Sequence, residues 1–283
     1  MKGRDFSICS ARLLAALAAA LLAGCVHHVQ VGRIWDARAA AFVSPEELFQ
    51  QAARARHVIL GETHDNAEHH RLQLAVLQAL GGRRQLAMEQ FDSEYQGAID
   101  AARASQPDAE AIADAGHFDR KGWNWALYRP LVQFALDHGW PLAAANLSRT
   151  EARVLVADAG RSGLASAPPS VRSALERDII DGHCGAAPEP KRLAGMVEAQ
   201  RARDARMASA LKAPSVLITG LGHARRDRGV PLYLADRDLI SIAFMEVQDG
   251  KRSPPEYFDG FASPASFDYV WFTPRAARDD PCS

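Results

Sequence analysis

Cysteine, charge imbalance and long apolar runs are the things this chain has least of, and each scarcity closes a class of function. Four cysteines in 283 residues are too few for a disulfide-built scaffold, and none sits at the paired spacing of a zinc finger. Lysine and arginine number 33 against 34 aspartates and glutamates, a formal net charge of −1. That balance leaves no basic footprint for a phosphate backbone, so nucleic acid is excluded as a partner. No apolar run reaches the roughly 20 residues that a membrane-spanning helix needs. Signature loops are missing as well. There is no Gly-x-Ser-x-Gly elbow, no Walker loop, no His-Glu-x-x-His and no Gly-x-Gly-x-x-Gly after a strand, which removes the commonest serine-hydrolase, nucleotide, zincin and dinucleotide readings.

What is present begins at the N-terminus. Lys2, Arg4 and Arg12 precede a Leu/Ala stretch, Leu13 to Ala23, too short to span a bilayer and suited to a signal-peptide core. Leu22-Ala23-Gly24-Cys25 places small residues before a cysteine, as a lipoprotein signal peptidase requires. The reading is a signal peptide over residues 1–24, with acyl (palmitate-type) attachment at Cys25. Val26 stands where an aspartate would favour inner-membrane retention, so the expected destination is the outer membrane. Residues 25–283 are then long enough for a single α/β domain. Cys9 leaves with the signal and Cys25 takes lipid, so Cys184 and Cys282 remain as one pair in a disulfide-permissive compartment. A bond is expected between them, and it would close a loop of about 100 residues, worth on the order of 4–5 kcal/mol in the chain-entropy description.

Apolar runs at 57–61, 85–91, 141–146, 215–220, 239–247 and 268–273 predict strands, several apolar throughout, as strands covered on both faces are. Ser44, Asp65, Ser93 and Ser148 each stand three residues before Glu or Gln, the capping-box spacing that opens helices. Alternating units of this kind predict an α/β fold with a mainly parallel open sheet flanked by helices. The stretch Val171 to Leu211, broken at 182–190, predicts a helical insertion beside the sheet.

In such a sheet ligands sit beyond the carboxyl ends of the strands. Three runs carry chemically able groups: Glu62 and His64 after the first, Glu89 closing Leu86-Ala87-Met88-Glu89 in the second, and His223 after the late Gly220-Leu221-Gly222. Two carboxylates and two imidazoles at one sheet edge can move protons or hold a divalent metal. Arg71, two turns after His64, is expected to face the same cleft and pair with Glu62 or Glu89, while His69 and His70 read as a solvated helix face. Arg225 and Arg226 lie near the glycine loop. Trp125 and Tyr128 share a helical face. That face reads either as a core ridge or as an aromatic wall whose phenol ligates haem iron, with Arg129 beside it to meet a propionate.

Leu60-Gly61-Glu62-Thr63-His64-Asp65-Asn66, Met88-Glu89-Gln90-Phe91, Gly182-His183-Cys184-Gly185, the run from Gly220 to Pro231, Trp271 to Arg275 and Asp280-Pro281-Cys282 together resemble the ChaN-like haem-binding uptake lipoproteins. The resemblance implies an α/β domain serving haem and iron acquisition at the outer membrane. It also implies haem held through a tyrosine between two copies of the chain, with an outer-membrane haem receptor as a partner. Five tyrosines, at 95, 128, 233, 257 and 269, are open for that role. Tyr128 is preferred for its aromatic neighbours and Tyr95 stands second, in a helix start just after Glu89. The same clan looks to include erythromycin esterases and the TIKI metalloproteases. Their Glu-x-His and late Gly-x-x-His contexts keep a metal-dependent hydrolase built on Glu62, His64, Glu89 and His223 as the alternative.

Overall fold

The structure is a computed structural model and describes residues 30–105, 107–257, 266–279 and 282. Along the chain run β1 (Ile34–Asp36), β2 (Ala41–Val43), α1 (Pro45–Arg54), β3 (His57–Glu62), α2 (Ala67–Leu80), β4 (Gln85–Asp92), α3 (Gln96–Arg103), α4 (Ala109–Ala115), α5 (Trp125–Asp137), β5 (Leu142–Asn146), α6 (Arg149–Ala157), α7 (Pro169–Asp181), α8 (Pro190–Ala210), β6 (Ser215–Gly220), β7 (Leu239–Glu246) and β8 (Tyr269–Thr273). The strands make one sheet in the order β2-β1-β8-β7-β3-β6-β4-β5. From β8 to β5 every neighbouring pair is parallel, and β1 runs antiparallel to both β8 and β2. The mainly parallel α/β sheet expected from the apolar runs is therefore present. Each of the six anticipated strands ends within one residue of its expected place. The hairpin β1–β2 was not anticipated, because strands of three residues carry too little alternation to read.

Alternation along the strands divides the core in two. Val58, Leu60, Leu86, Met88, Val216 and Ile218 pack with Leu48 of α1, Val76 of α2 and Leu131 of α5 on one face. Ile59, Ala87 and Leu217 turn to the other face, where Met207 and Ala208 of α8 meet them. Leu60 is fully buried, so Leu60→Ala costs about 2–5 kcal/mol. Both faces of the parallel strands are covered, and that is why their sequences are nearly continuous apolar runs.

Ser44 and Ser148 form complete capping boxes with Glu47 and Glu151, each cap contributing about 1 kcal/mol. The other two anticipated starts differ. At α2 the cap is Asn66 rather than Asp65, its side chain accepting from the Glu68 amide at 3.0 Å. After Ser93 a 3₁₀ turn at Ser93–Tyr95 intervenes and no side chain caps α3. The helical insertion is α7 and α8, broken over residues 182–189. At that break Cys184 is bonded to Cys282, the expected pair. Residues 1–29, with the signal segment and Cys25, lie outside the described residues.

The strand order creates the site. The β3-to-β4 connection carries α2 over one face and skips β6, whereas β6 is entered from α8 on the opposite face. Connections that diverge in this way open a crevice beyond the carboxyl ends of the strands between them, here β3, β6 and β4.

Candidate functional site

Glu62 ends β3, Glu89 lies in β4 just past its last pairing with β6 at Met88, and a turn follows Gly220 at the end of β6; two glycines let them close. A Cβ on Gly61 would sit 2.6 Å from the Ala224 Cβ, so only glycine lets β3 meet the 221–224 turn, whose Leu221 amide donates to the Glu62 carbonyl at 2.9 Å. A Cβ on Gly220 would lie 2.9 Å from His64 Nε2 and 3.7 Å from Glu89 Oε2. The four acid and imidazole residues anticipated from the strand ends are thus gathered at one edge.

Glu62 is the anchor of the first half. Its Oε1 accepts from Tyr128 Oη at 2.6 Å and from Gln90 Nε2 at 3.4 Å, and lies 2.9 Å from His64 Nδ1. Oε2 accepts from Gln73 Nε2 at 2.6 Å and faces His70 Nδ1 at 3.4 Å. With Nδ1 turned to Glu62, His64 presents Nε2 toward Gly220 and Glu89, and its ring stands edge-on to Trp123 at 4.6 Å. Burial presses the His64 imidazolium down, but the Glu62 hydrogen bond and then the Glu89 charge outweigh it, leaving the pKa above its ordinary value.

Glu89 and His223 form the second half. Glu89 Oε2 accepts from Thr219 Oγ1 and the Gly220 amide, both at 2.7 Å, and Oε1 lies 3.5 Å from His223 Nε2. Burial alone would raise the carboxyl, yet the His223 and His64 imidazoles and the two hydrogen bonds hold it down at about 2. His223 Nδ1 meets Asp204 Oδ1 of α8 at 2.6 Å, and Gln200 Nε2 approaches its Nε2 at 3.1 Å. Burial pushes Asp204 up to about 6 against the pull of His223. His223 is depressed by burial but carried above its ordinary value by Glu89 and Asp204. The imidazole decides the behaviour of the pair, because its two ring nitrogens face two carboxylates.

Around these groups lies a pocket of about 800 Å³ whose lining includes His64, Glu89, Asp92, Glu94, Tyr95, His117, Asp119, Trp123, Leu147, Arg149, Arg203 and His223. Buried Glu89 and His223 form its inner end, while half-buried Tyr95 and exposed His117 mark its outer part. Tyr95 stacks on the His117 ring at 4.3 Å and 16°, and His117 holds φ 48°, a left-handed conformation rare in non-glycine residues and frequent at ligand sites.

Several expectations about single residues are overturned. His69 and His70 are buried, not solvated. His69 Nδ1 accepts from the Thr63 amide at 2.8 Å and Nε2 reaches Thr273 Oγ1 at 2.7 Å, and burial lowers its pKa to about 4. His70 Nε2 bonds the His64 carbonyl at 3.0 Å. Arg71 turns away to Glu68. Arg225 and Arg226 are taken by Asp227 and Asp268. Tyr128 is 0% exposed, so the exposed aromatic wall is in fact the core ridge. Its stripe continues through Leu131, Val132 and Ala135, at helical spacing. Burial and the Glu62 charge push its phenol far above the ordinary range. Trp125 packs on Phe118 and donates to Glu110 at 2.6 Å, and Arg129 faces the same Glu110 at 3.3 Å, outside the pocket lining. Among the described residues no group of three or more His, Cys, Asp or Glu is arranged to hold a metal ion, so the divalent-metal reading has no support.

Asp204, Gln200 and Arg203 were missed from sequence, although they recur with Met207 at positions i, i+3, i+4 and i+7 of α8, one helical face. Gln73 and Gln90 were missed too, lying within strand and helix patterns that read as structural.

A parallel sheet with an acid–imidazole cluster at its switch point defines the class, and the family model described as "Haem-binding uptake, Tiki superfamily, ChaN" matches residues 48–234; the chain belongs to this family. Among solved structures, ChaN of Campylobacter jejuni, described with cofacial heme binding, superposes with a TM-score of 0.70 at 24% identity, covering 84% of this chain and 95% of that one. The type III effector HopBA1 is a looser likeness, with a TM-score of 0.43, 18% identity, and 81% and 92% coverage. The C-terminal region of Pasteurella multocida toxin gives a TM-score of 0.44 and 15% identity over 84% of this chain and 28% of that chain. No curated protein matches the chain.

Proposed function

We propose that this protein binds haem as cargo at the outer part of the switch-point pocket and serves haem-iron acquisition. In this reading it is anchored in the outer membrane through lipidated Cys25, with a second copy covering the porphyrin's other face and an outer-membrane haem receptor as exchange partner. Family membership supports the cargo, and the N-terminal signal pattern supports the anchor.

One observation in the site carries the reading. Tyr128 donates to Glu62, Tyr233 is engaged by Arg201, Tyr257 meets backbone groups of 248 and 251, and buried Tyr269 lies beside the Asp36 charge in another cleft. The Tyr95 hydroxyl makes no hydrogen bond among the described residues, and of Tyr95 and Tyr269 it is Tyr95 that lines this pocket. A phenol in that position is available as an iron ligand, and Trp123, Leu147 and Leu221 supply apolar surface beside it. The volume of about 800 Å³ lies within the usual ~300–1,000 Å³ of small-molecule sites. Titrating haemin into the purified protein while recording the visible spectrum tests the proposal. A saturable new spectrum with a phenolate-to-iron charge-transfer band is the expected result, and an unchanged spectrum ends the reading.

The paired imidazoles favour a second reading, metal-free proton transfer in ester or amide hydrolysis. Each ring has its Nδ1 on a carboxylate, which orients it for proton transfer. Hydrolysis that survives both His64→Ala and His223→Asn would exclude it.

A further inference from the structure

Arg203 stands apart from the other arginines near the pocket. Arg149, on the same lining, is paired with Asp119 at 2.6 Å. On α8, Arg201 is bound by Glu198 and the Ala165 carbonyl, and Arg206 by Ser93 and Glu151. Arg203 lines the pocket and is half-buried. Its Nε is shut off from solvent without a hydrogen-bond partner, and among the described residues no carboxylate comes within ion-pair distance of it. The helix fixes this placement, since Gln200 and Asp204 on the same face are held on His223 and Met207 is packed beneath Thr219.

The pocket's acids do not satisfy it. Asp119 is held by Arg149, and Glu89 by Thr219, the Gly220 amide and His223. Asp92 feels the charge of Arg203 without contact, and burial together with Glu94 raises its pKa. A guanidinium offers a planar fork of N–H donors that matches a carboxylate in bidentate fashion, and one without a carboxylate of its own keeps that fork free for a ligand.

We propose that Arg203 is the pocket's receptor for a ligand carboxylate. Resting on the haem reading, that carboxylate is a porphyrin propionate, the role sequence had suggested for Arg129. Neutral porphyrins and uncharged small molecules would leave the Arg203 charge without a partner, so Arg203 also acts as a specificity element against them.

The experiment compares haemin with haemin dimethyl ester, whose propionates are masked, against the wild-type protein, Arg203→Met and Tyr95→Phe. The wild type should bind haemin roughly tenfold more tightly than the diester. Arg203→Met should lose that preference while keeping its affinity for the diester and its charge-transfer band, which also shows that the variant is folded. Tyr95→Phe should lose the band and keep the preference. Equal wild-type affinity for acid and diester, or an equal loss of both in Arg203→Met, overturns the assignment. A haem-independent arm uses glutarate at constant ionic strength, which should raise the Tm of the wild type but not of Arg203→Met, with phosphate as the control anion. Should haemin leave the spectrum unchanged, the haem reading falls by itself and the glutarate arm decides Arg203, a wild-type Tm indifferent to glutarate refuting it.

Discussion

Asp204 Oδ1 lies 2.6 Å from His223 Nδ1, so a residue in the middle of α8 sets the orientation of an imidazole at the end of β6. With its Nδ1 held, the ring directs Nε2 at Glu89. Replacing Asp204 by Asn keeps the size and removes the charge. The His223 pKa, lifted by Glu89 and Asp204, should then fall, as histidine side-chain NMR would read. An unchanged His223 titration in Asp204→Asn would show that Glu89 alone supports it.

Stability at low pH should follow Glu89. Its folded pKa of about 2 is below the ordinary 4.5. The carboxylate therefore contributes stability that is present above about pH 4.5 and lost as pH falls toward 2, on the order of 3 kcal/mol. His64 and His223 have the opposite sign. Their raised values give stability that is complete below about pH 6.5 and fades as pH rises through the folded values. Denaturant unfolding followed from pH 7 to 2 should show a steep acid limb in the wild type and a flatter one in Glu89→Gln. Parallel limbs would remove Glu89 as the cause.

The two leading tyrosines should separate by function. Tyr95→Phe is expected to abolish the charge-transfer band with haemin and leave stability nearly unchanged, since its hydroxyl has no hydrogen bond among the described residues. Tyr128→Phe should do the reverse, keeping the spectrum and losing about 1–3 kcal/mol, because buried Glu62 loses a donor at 2.6 Å. A haemin band lost in Tyr128→Phe but kept in Tyr95→Phe would reverse the assignment.

What could be read beforehand follows from how local each signal is. Glu62 directly follows an apolar run, Glu89 closes the stretch Leu86-Ala87-Met88 and His223 comes three residues after β6, so strand-end reasoning finds them without knowing the sheet order. Asp204 is 19 residues from its partner inside a helix, and only the packing of α8 against β4 and β6 joins them. Tyr128 was misread although its burial was visible in the spacing of Leu131, Val132 and Ala135. The aromatic cluster at 123–128 suggested a surface where the helical stripe marked a core. His69 and His70 were misread for a related reason: Leu72, Gln73, Val76 and Leu77 continue their face inward, but imidazoles beside Arg71 look like a polar exterior. Tyr95 gives no local sign that its hydroxyl lacks a partner, because that is known only once every other phenol has been placed.

The Cys184–Cys282 bond should appear as the absence of free thiol from these two positions in denatured, unreduced protein. Cys282→Ser is expected to lower stability by about 2–4 kcal/mol. Two thiols per chain in a variant lacking Cys9 and Cys25 would contradict it.

Cys25→Ser should prevent lipid attachment and move the protein out of the outer-membrane fraction. Unchanged fractionation of the variant would end the anchoring proposal.

The sheet order also has a consequence in time. Among the described residues strand β3 pairs only with β6 and β7, and His57 meets Ser215 across 158 residues. During synthesis the central strand waits for most of the chain to appear, and β3 and β4 cannot take their final places until β6 arrives to lie between them. Contacts of such long sequence separation form slowly. The cluster around Glu62, Glu89 and His223 therefore cannot close in a chain that ends before β6, and such a nascent chain has no pocket in which cargo could be trapped too early.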